Sequence, residues 1–260
     1  MEQELIGFPD FQNKVCRHLG PLLDSAAAYL RVGREMFSRP FSGQLISILR
    51  QMARSVSNSM ESVLILASNG CADDAFRIAR TMFESAVTIH YLESHPELLQ
   101  EYVDFLWVKR KHHHDDLLRY APSQAEQVDP QQLEKTNAEY ARVRARFSDR
   151  KGRVRNSWCQ VSLRTMAEEI RAGSMYGGLY GFTSSITHTD MLGLVSASGD
   201  SDAVILVPSP VNIPLALQMG VVSYAMTLSA INEIEVLQFD DRLSEAFRQL
   251  KQASADLAIG

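Results

Sequence analysis

Apolar side chains return every three or four residues through 11–37, 45–67, 75–92, 98–118, 133–147 and 161–170. That spacing gathers them on one face of an α-helix, so each stretch is predicted helical. Proline and glycine punctuate the pattern. Pro96, after Ser94-His95, and Pro130, after Asp129, both suit a first helical turn and predict new helix starts. Gly20-Pro21 predicts a kink, or a break between two shorter helices, in the first stretch. A final amphipathic helix is predicted over 242–257, with Leu243, Phe247, Leu250 and Leu257 as its docking face.

Beyond His188 the pattern changes. Two short β-rich runs, 192–197 and 203–207, flank Ser198-Gly199-Asp200-Ser201 and predict a β-hairpin inserted near 192–207. From 203 to 232 there is no charged residue, and 213–231 has the length of a membrane span. Its flanks are acidic at Asp200, Asp202, Glu233 and Glu235, with no Lys/Arg asymmetry to orient a span. A helix apolar all round is also what the centre of a helical body requires, and in this helical company the central-helix reading is preferred. The expected fold is all-α, a single domain over 1–260 with about eight helices and the small hairpin.

Composition narrows the class. The chain has 260 residues, 45% hydrophobic and 22% charged, with Lys+Arg 26 against Asp+Glu 31. This excludes disordered and collagenous chains and provides enough apolar surface for a sizeable core. Cys16, Cys71 and Cys159 are widely spaced and form no Cys-x-x-Cys pair, so reduced thiols are expected. The acidic start Met1-Glu2-Gln3-Glu4 lacks the basic region of a secretory signal, and the protein is expected to be cytoplasmic.

Four constellations could carry chemistry. Arg80 and Glu84 stand four apart on one helical face with Phe76, Ala79, Phe83 and Val87 around them. Drawn inward, such a pair needs partners; left outside, it is one step in a polar stripe with Asp73 and Arg77. Tyr180, Ser184 and His188 also recur at four-residue steps, placing a phenol, a hydroxyl and an imidazole on one ridge if that segment is helical. The run from Arg142 to Arg155 holds seven basic residues against Asp149 alone. Within it Arg146, Arg150, Lys151, Arg153 and Arg155 are candidate contacts to phosphate or nucleic acid, unless acidic neighbours pair them. His112-His113-His114-Asp115-Asp116 resembles a metal site, but helical geometry spreads consecutive imidazoles about 100° apart. No metal and no cofactor is assigned, since phosphate-loop, dinucleotide and zinc-protease motifs are missing.

Arg80-Thr-Met-Phe-Glu84, the following Tyr91-Leu-Glu-Ser-His-Pro96 and the later Tyr180-x3-Ser184-x3-His188 together resemble a large bacterial all-helical family of unknown function, over about 45–235. That family is similar in layout to the HEPN-like proteins. The resemblance implies a dimer and RNA or a nucleotide as ligand. As an enzyme it would be a metal-independent ribonuclease, or a nucleotide-directed enzyme, of a defence or toxin system. His188 would then be the general acid/base, Arg80 would stabilise phosphate charge, Glu84 would orient Arg80, and Tyr180 and Ser184 would position substrate. The preferred expectation is a binding or regulatory module in which these five residues form a buried polar network, with RNA, a nucleotide or a protein as partner. The HEPN-like enzyme is the first alternative. A metal-dependent phosphohydrolase using the His114-Asp115 dyad is the second.

Overall fold

The structure, a computed structural model, describes residues 9–181, 213–235 and 237–259, leaving out the side chains of a few residues within helices near those limits. The expected hairpin at 192–207 lies outside them. The described residues are all-α: no strand occurs among them, and an isolated bridge joins Ser148 to Val154. They form two compact units, one up to Ser94 and from Leu163 onward, the other His95–Ser162.

The larger unit begins with α1 (Pro9–Ser38), α2 (Gln44–Ser68) and α3 (Ala72–Ser94). Of the kink and the break expected at Gly20-Pro21, the break does not occur, since α1 is continuous through Pro21. Leu19, Leu22 and Ala26 are buried on its inner face, and Ser25 Oγ donates to the Pro21 carbonyl at 2.9 Å. Packing and that local bond outweigh the missing proline N–H. After α7 (Leu163–Glu169) and the single turn α8 (Gly173–Met175), residues Tyr176–Tyr180 form a π-helical stretch.

The charge-free segment becomes α9 (Ile213–Glu235), packed against α1, α2, α3 and the terminal α10 (Asp240–Ile259). By length and composition α9 could cross a membrane. Here thirteen of its 23 residues are buried against neighbouring helices. Its small polar side chains are satisfied locally, Ser223 Oγ by the Met219 carbonyl at 2.7 Å and Thr227 Oγ1 by the Ser223 carbonyl at 3.0 Å. In α10 the buried face is Leu243, Ala246, Leu250 and Ala253, whereas Phe247 is half exposed and not part of it. Phe247 lies one helical step of about 100° away from Ala246, far enough to turn outward.

Two contacts set how close these helices come. At the end of α9, Glu235 takes bonds from Nε and Nη2 of Arg50, and Arg50 Nη1 donates to the Arg39 carbonyl at 2.6 Å. Both side chains are about 5% exposed, so this pair joins α2, α9 and the α1–α2 loop inside the unit. Further along, Tyr224 Oη lies 3.1 Å from Ser57 Oγ, and burial pushes its phenol up to about 12. Gly33 makes this possible, because a Cβ there would lie 1.9 Å from Tyr224 Oη.

The smaller unit pairs α4 (Leu99–Tyr120) with α6 (Pro130–Val143), after the short α5 (Pro122–Ala125). The predicted starts hold: Pro96 opens a 3-10 turn into α4, and Asp129 caps α6 by accepting the Gln131 amide at 2.9 Å. Its core is Phe105, Val108, Val143 and Phe147, with Trp107 and Trp158 packed against it.

Gly33→Ala is expected to cost about 1–3 kcal/mol through overpacking against Tyr224. Urea unfolding should find that cost reduced in the Tyr224→Phe background, where the clashing oxygen is gone. An equal cost in both backgrounds would disprove the close approach as its cause.

Candidate functional site

Helix α3 presents Arg80 and Glu84 one turn apart, and the π-helical stretch brings Tyr180 over them. Arg80 Nε donates to Glu84 Oε1 at 3.3 Å, and Arg80 Nη2 donates to Tyr180 Oη at 3.1 Å. Tyr180 Oη in turn donates to the same Glu84 oxygen at 2.9 Å. The three groups close a ring of bonds. The guanidinium also lies 4.5 Å from the centroid of the Tyr180 ring, a cation–π arrangement. Tyr176 stacks on the other aromatic neighbour of the site, Tyr180, at 4.7 Å, and Phe83 approaches it at 5.7 Å.

Tyr176 and Tyr180, four residues apart, share one face of this π-helical turn, a feature frequent at functional sites. Burial pushes the Tyr180 phenol up, and its bond to the Glu84 carboxylate adds to the shift, so it remains a donor at neutral pH. Burial opposes charge on Arg80, but its bonds to Tyr180 and Glu84 outweigh that and raise it. Arg80 is 14% exposed and Glu84 41%, so the carboxylate faces solvent while the guanidinium is largely covered. One polar atom is left over: among the described residues, buried Arg80 Nη1 has no acceptor.

Of the five residues expected on this network, Arg80, Glu84 and Tyr180 come together. Ser184 and His188 lie outside the described residues. Phe83 was expected beside the pair, whereas Tyr176 was not foreseen; the aromatic spacing Tyr176-x3-Tyr180 was the available signal. The Arg50–Glu235 pair was also missed, although Arg50 beside Leu49 and Ala53 is a cation set in an apolar stripe.

The basic run belongs to the smaller unit, and most of its charge is spent internally. Buried Asp104 accepts from Arg142 at 2.9 Å and also from Arg146. Arg153 pairs with Asp149 at 2.9 Å, and Arg155 with Glu101 and the Trp158 carbonyl. Arg150 and Lys151 have no carboxylate partner among the described residues and are exposed. In the histidine run, His114 is buried while Asp115 is exposed and bonded to Lys111, so the two do not present a joint site. Among the described residues no group of three or more His, Cys, Asp or Glu is placed to hold a metal.

Fold and site together define a class: an all-helical protein in which an Arg–Glu pair on one helix is locked by a tyrosine from a π-helical turn. Residues 46–203, more than half of the chain, match a family of unknown function (DUF5677), and the chain belongs to it. The matched stretch contains Arg80, Glu84, Tyr180, Ser184 and His188. No curated protein and no solved structure matches the chain.

Asp104 yields a pH prediction. Burial pushes its carboxyl up, but bonds from Arg142, Arg146 and Gln100 prevail and hold it below its ordinary 3.8. Its stabilisation is therefore complete above pH 3.8 and lost as pH falls through the lower, folded value. Both tryptophans lie in the smaller unit, so their emission should shift to the red below that pH. In Asp104→Asn the shift should already be present at neutrality. Emission in that variant unchanged from wild type would contradict the assignment.

Proposed function

We propose that the protein is a binding or regulatory module whose Arg80–Glu84–Tyr180 network receives an anionic oxygen, that of an RNA phosphate, from its partner. The observation that carries this is the division of labour on the Arg80 guanidinium. Nε and Nη2 are held by Glu84 and Tyr180, which fixes the plane of the group, while Nη1 is a buried donor without an acceptor among the described residues. Leaving such a donor unpaired costs about 1–3 kcal/mol, so a native site supplies an acceptor. A planar guanidinium with two edges fixed is suited to phosphate on the third. Ser184 and His188 follow Tyr180 at four-residue steps, and in this reading they add a hydroxyl and an imidazole to the same ridge.

The HEPN-like ribonuclease remains the second reading, favoured by the same free nitrogen, which would stabilise charge on a phosphate under attack with His188 as acid/base. One assay separates the two: binding and cleavage of a short single-stranded RNA, with and without EDTA. The binding module predicts retention without cleavage, and Arg80→Lys, which keeps charge but loses the planar fork, weakens binding about tenfold. Cleavage in EDTA that disappears in a folded His188→Ala variant would replace it with the ribonuclease. No RNA binding, together with unfolding of both Arg80→Lys and Glu84→Gln, would reduce the network to a structural lock.

A further inference from the structure

A cleft of about 540 Å³ opens along the α1–α2 pair, on residues that the network does not use. Its geometry begins with the loop between the two helices. Gly43 has φ 100°, a left-handed conformation that favours glycine, and it turns the chain into α2. The same loop lays Phe41 beside the buried Arg50, with the guanidinium carbon 4.5 Å from the ring centroid. Arg50 is fully committed to Glu235 and the Arg39 carbonyl, so it acts as a fixed support and not as a ligand contact. Phe41 nevertheless keeps 50% of its surface exposed, unusual for a large apolar ring already supported on one side.

The wall of the cleft is polar. On α2, Arg54 and Asn58 stand four residues apart and share a face that lines the opening. Arg34 is paired with Glu61 at 2.7 Å. Arg54 is exposed and has no carboxylate partner among the described residues. The lining arginines Arg34, Arg50 and Arg54 face Glu61, with Glu235 behind Arg50, so the cleft keeps one positive charge in surplus, located at Arg54. Its volume lies within the usual range for small-molecule sites, about 300–1,000 Å³.

An exposed aromatic face and an uncommitted guanidinium in one small cleft select one ligand chemistry. We propose that the α1–α2 cleft binds a small aromatic anion, its ring packed on Phe41 and its phosphate or carboxylate held by Arg54, with Asn58 adding a hydrogen bond. Ring packing and charge pairing are each too weak to hold such a molecule alone, so the two must act together.

Calorimetric titration of the full chain with phenyl phosphate, benzoate, phenol and inorganic phosphate tests this. Phenyl phosphate or benzoate should bind at least about tenfold more tightly than phenol or phosphate. Arg54→Gln and Phe41→Ala, both at exposed positions, should each weaken the aromatic anion about fivefold or more, with circular dichroism showing that both variants keep the helical content of the wild type. Arg80→Lys should leave this binding intact, which separates the cleft from the network on α3. The proposal is overturned if neither aromatic anion binds, if phenol or phosphate binds equally well, or if binding survives both cleft variants.

Discussion

Everything in the larger unit is arranged around the need to cover α9, a helix without a charged residue until Glu233. An apolar helix in water can be stabilised only by neighbours on several sides, and α1, α2, α3 and α10 supply them. The polar atoms that α9 carries inward are matched singly. Ser223 and Thr227 bond back to their own helix, Tyr224 reaches Ser57, and Glu235 neutralises Arg50 where α9 ends. The two matches that cross between helices, Tyr224 with Ser57 and Glu235 with Arg50, fix register, because a buried polar group moved from its partner would pay its full desolvation cost. Gly33 shows the same constraint sterically, since only a residue without Cβ lets α1 approach the Tyr224 hydroxyl.

On that rigid body the Arg80 network differs from the Arg50 pair. Arg50 has bonds on every nitrogen and is 6% exposed, as a structural cation should be. Arg80 is held on two nitrogens by longer bonds, of 3.3 and 3.1 Å, and its third nitrogen has no acceptor among the described residues. The two arginines use the same chemistry to different extents, one completed by the fold and one left without an acceptor on Nη1 among the described residues. Tyr180 makes the distinction possible: its ring covers the guanidinium while its hydroxyl closes the bond to Glu84.

Much of this was legible in the sequence because it depends on local spacing. Helical periodicity located the long elements, Pro96 and Asp129-Pro130 marked real starts, and the four-residue step from Arg80 to Glu84 placed both on one face. Tyr180, one hundred residues later, joins them only through the family resemblance, since nothing in spacing alone could bring it to them. What local reading could not supply was partner identity over distance. The run from Arg142 to Arg155 looks like an uncompensated patch, and only folding brings Asp104 and Glu101 against it. At Pro21 the break, one of the two outcomes expected there, does not occur: a proline breaks an isolated helix, but burial of Leu19, Leu22 and Ala26 carries α1 through it. Phe247 turned outward because the α10 face is set by its small alanines, which admit a close neighbour.

The central claim is that Arg80 is clamped on two nitrogens, while the third, buried and without an acceptor among the described residues, is where we propose that an anion binds. Side-chain NMR of the Arg80 guanidinium, assigned by its loss in Arg80→Lys, tests this most directly while inorganic phosphate is titrated in. The account predicts resolved, slowly rotating guanidinium signals, with the Nη1 protons moving on addition of phosphate and the Nε proton staying in place. A single averaged signal that does not respond to phosphate would contradict it.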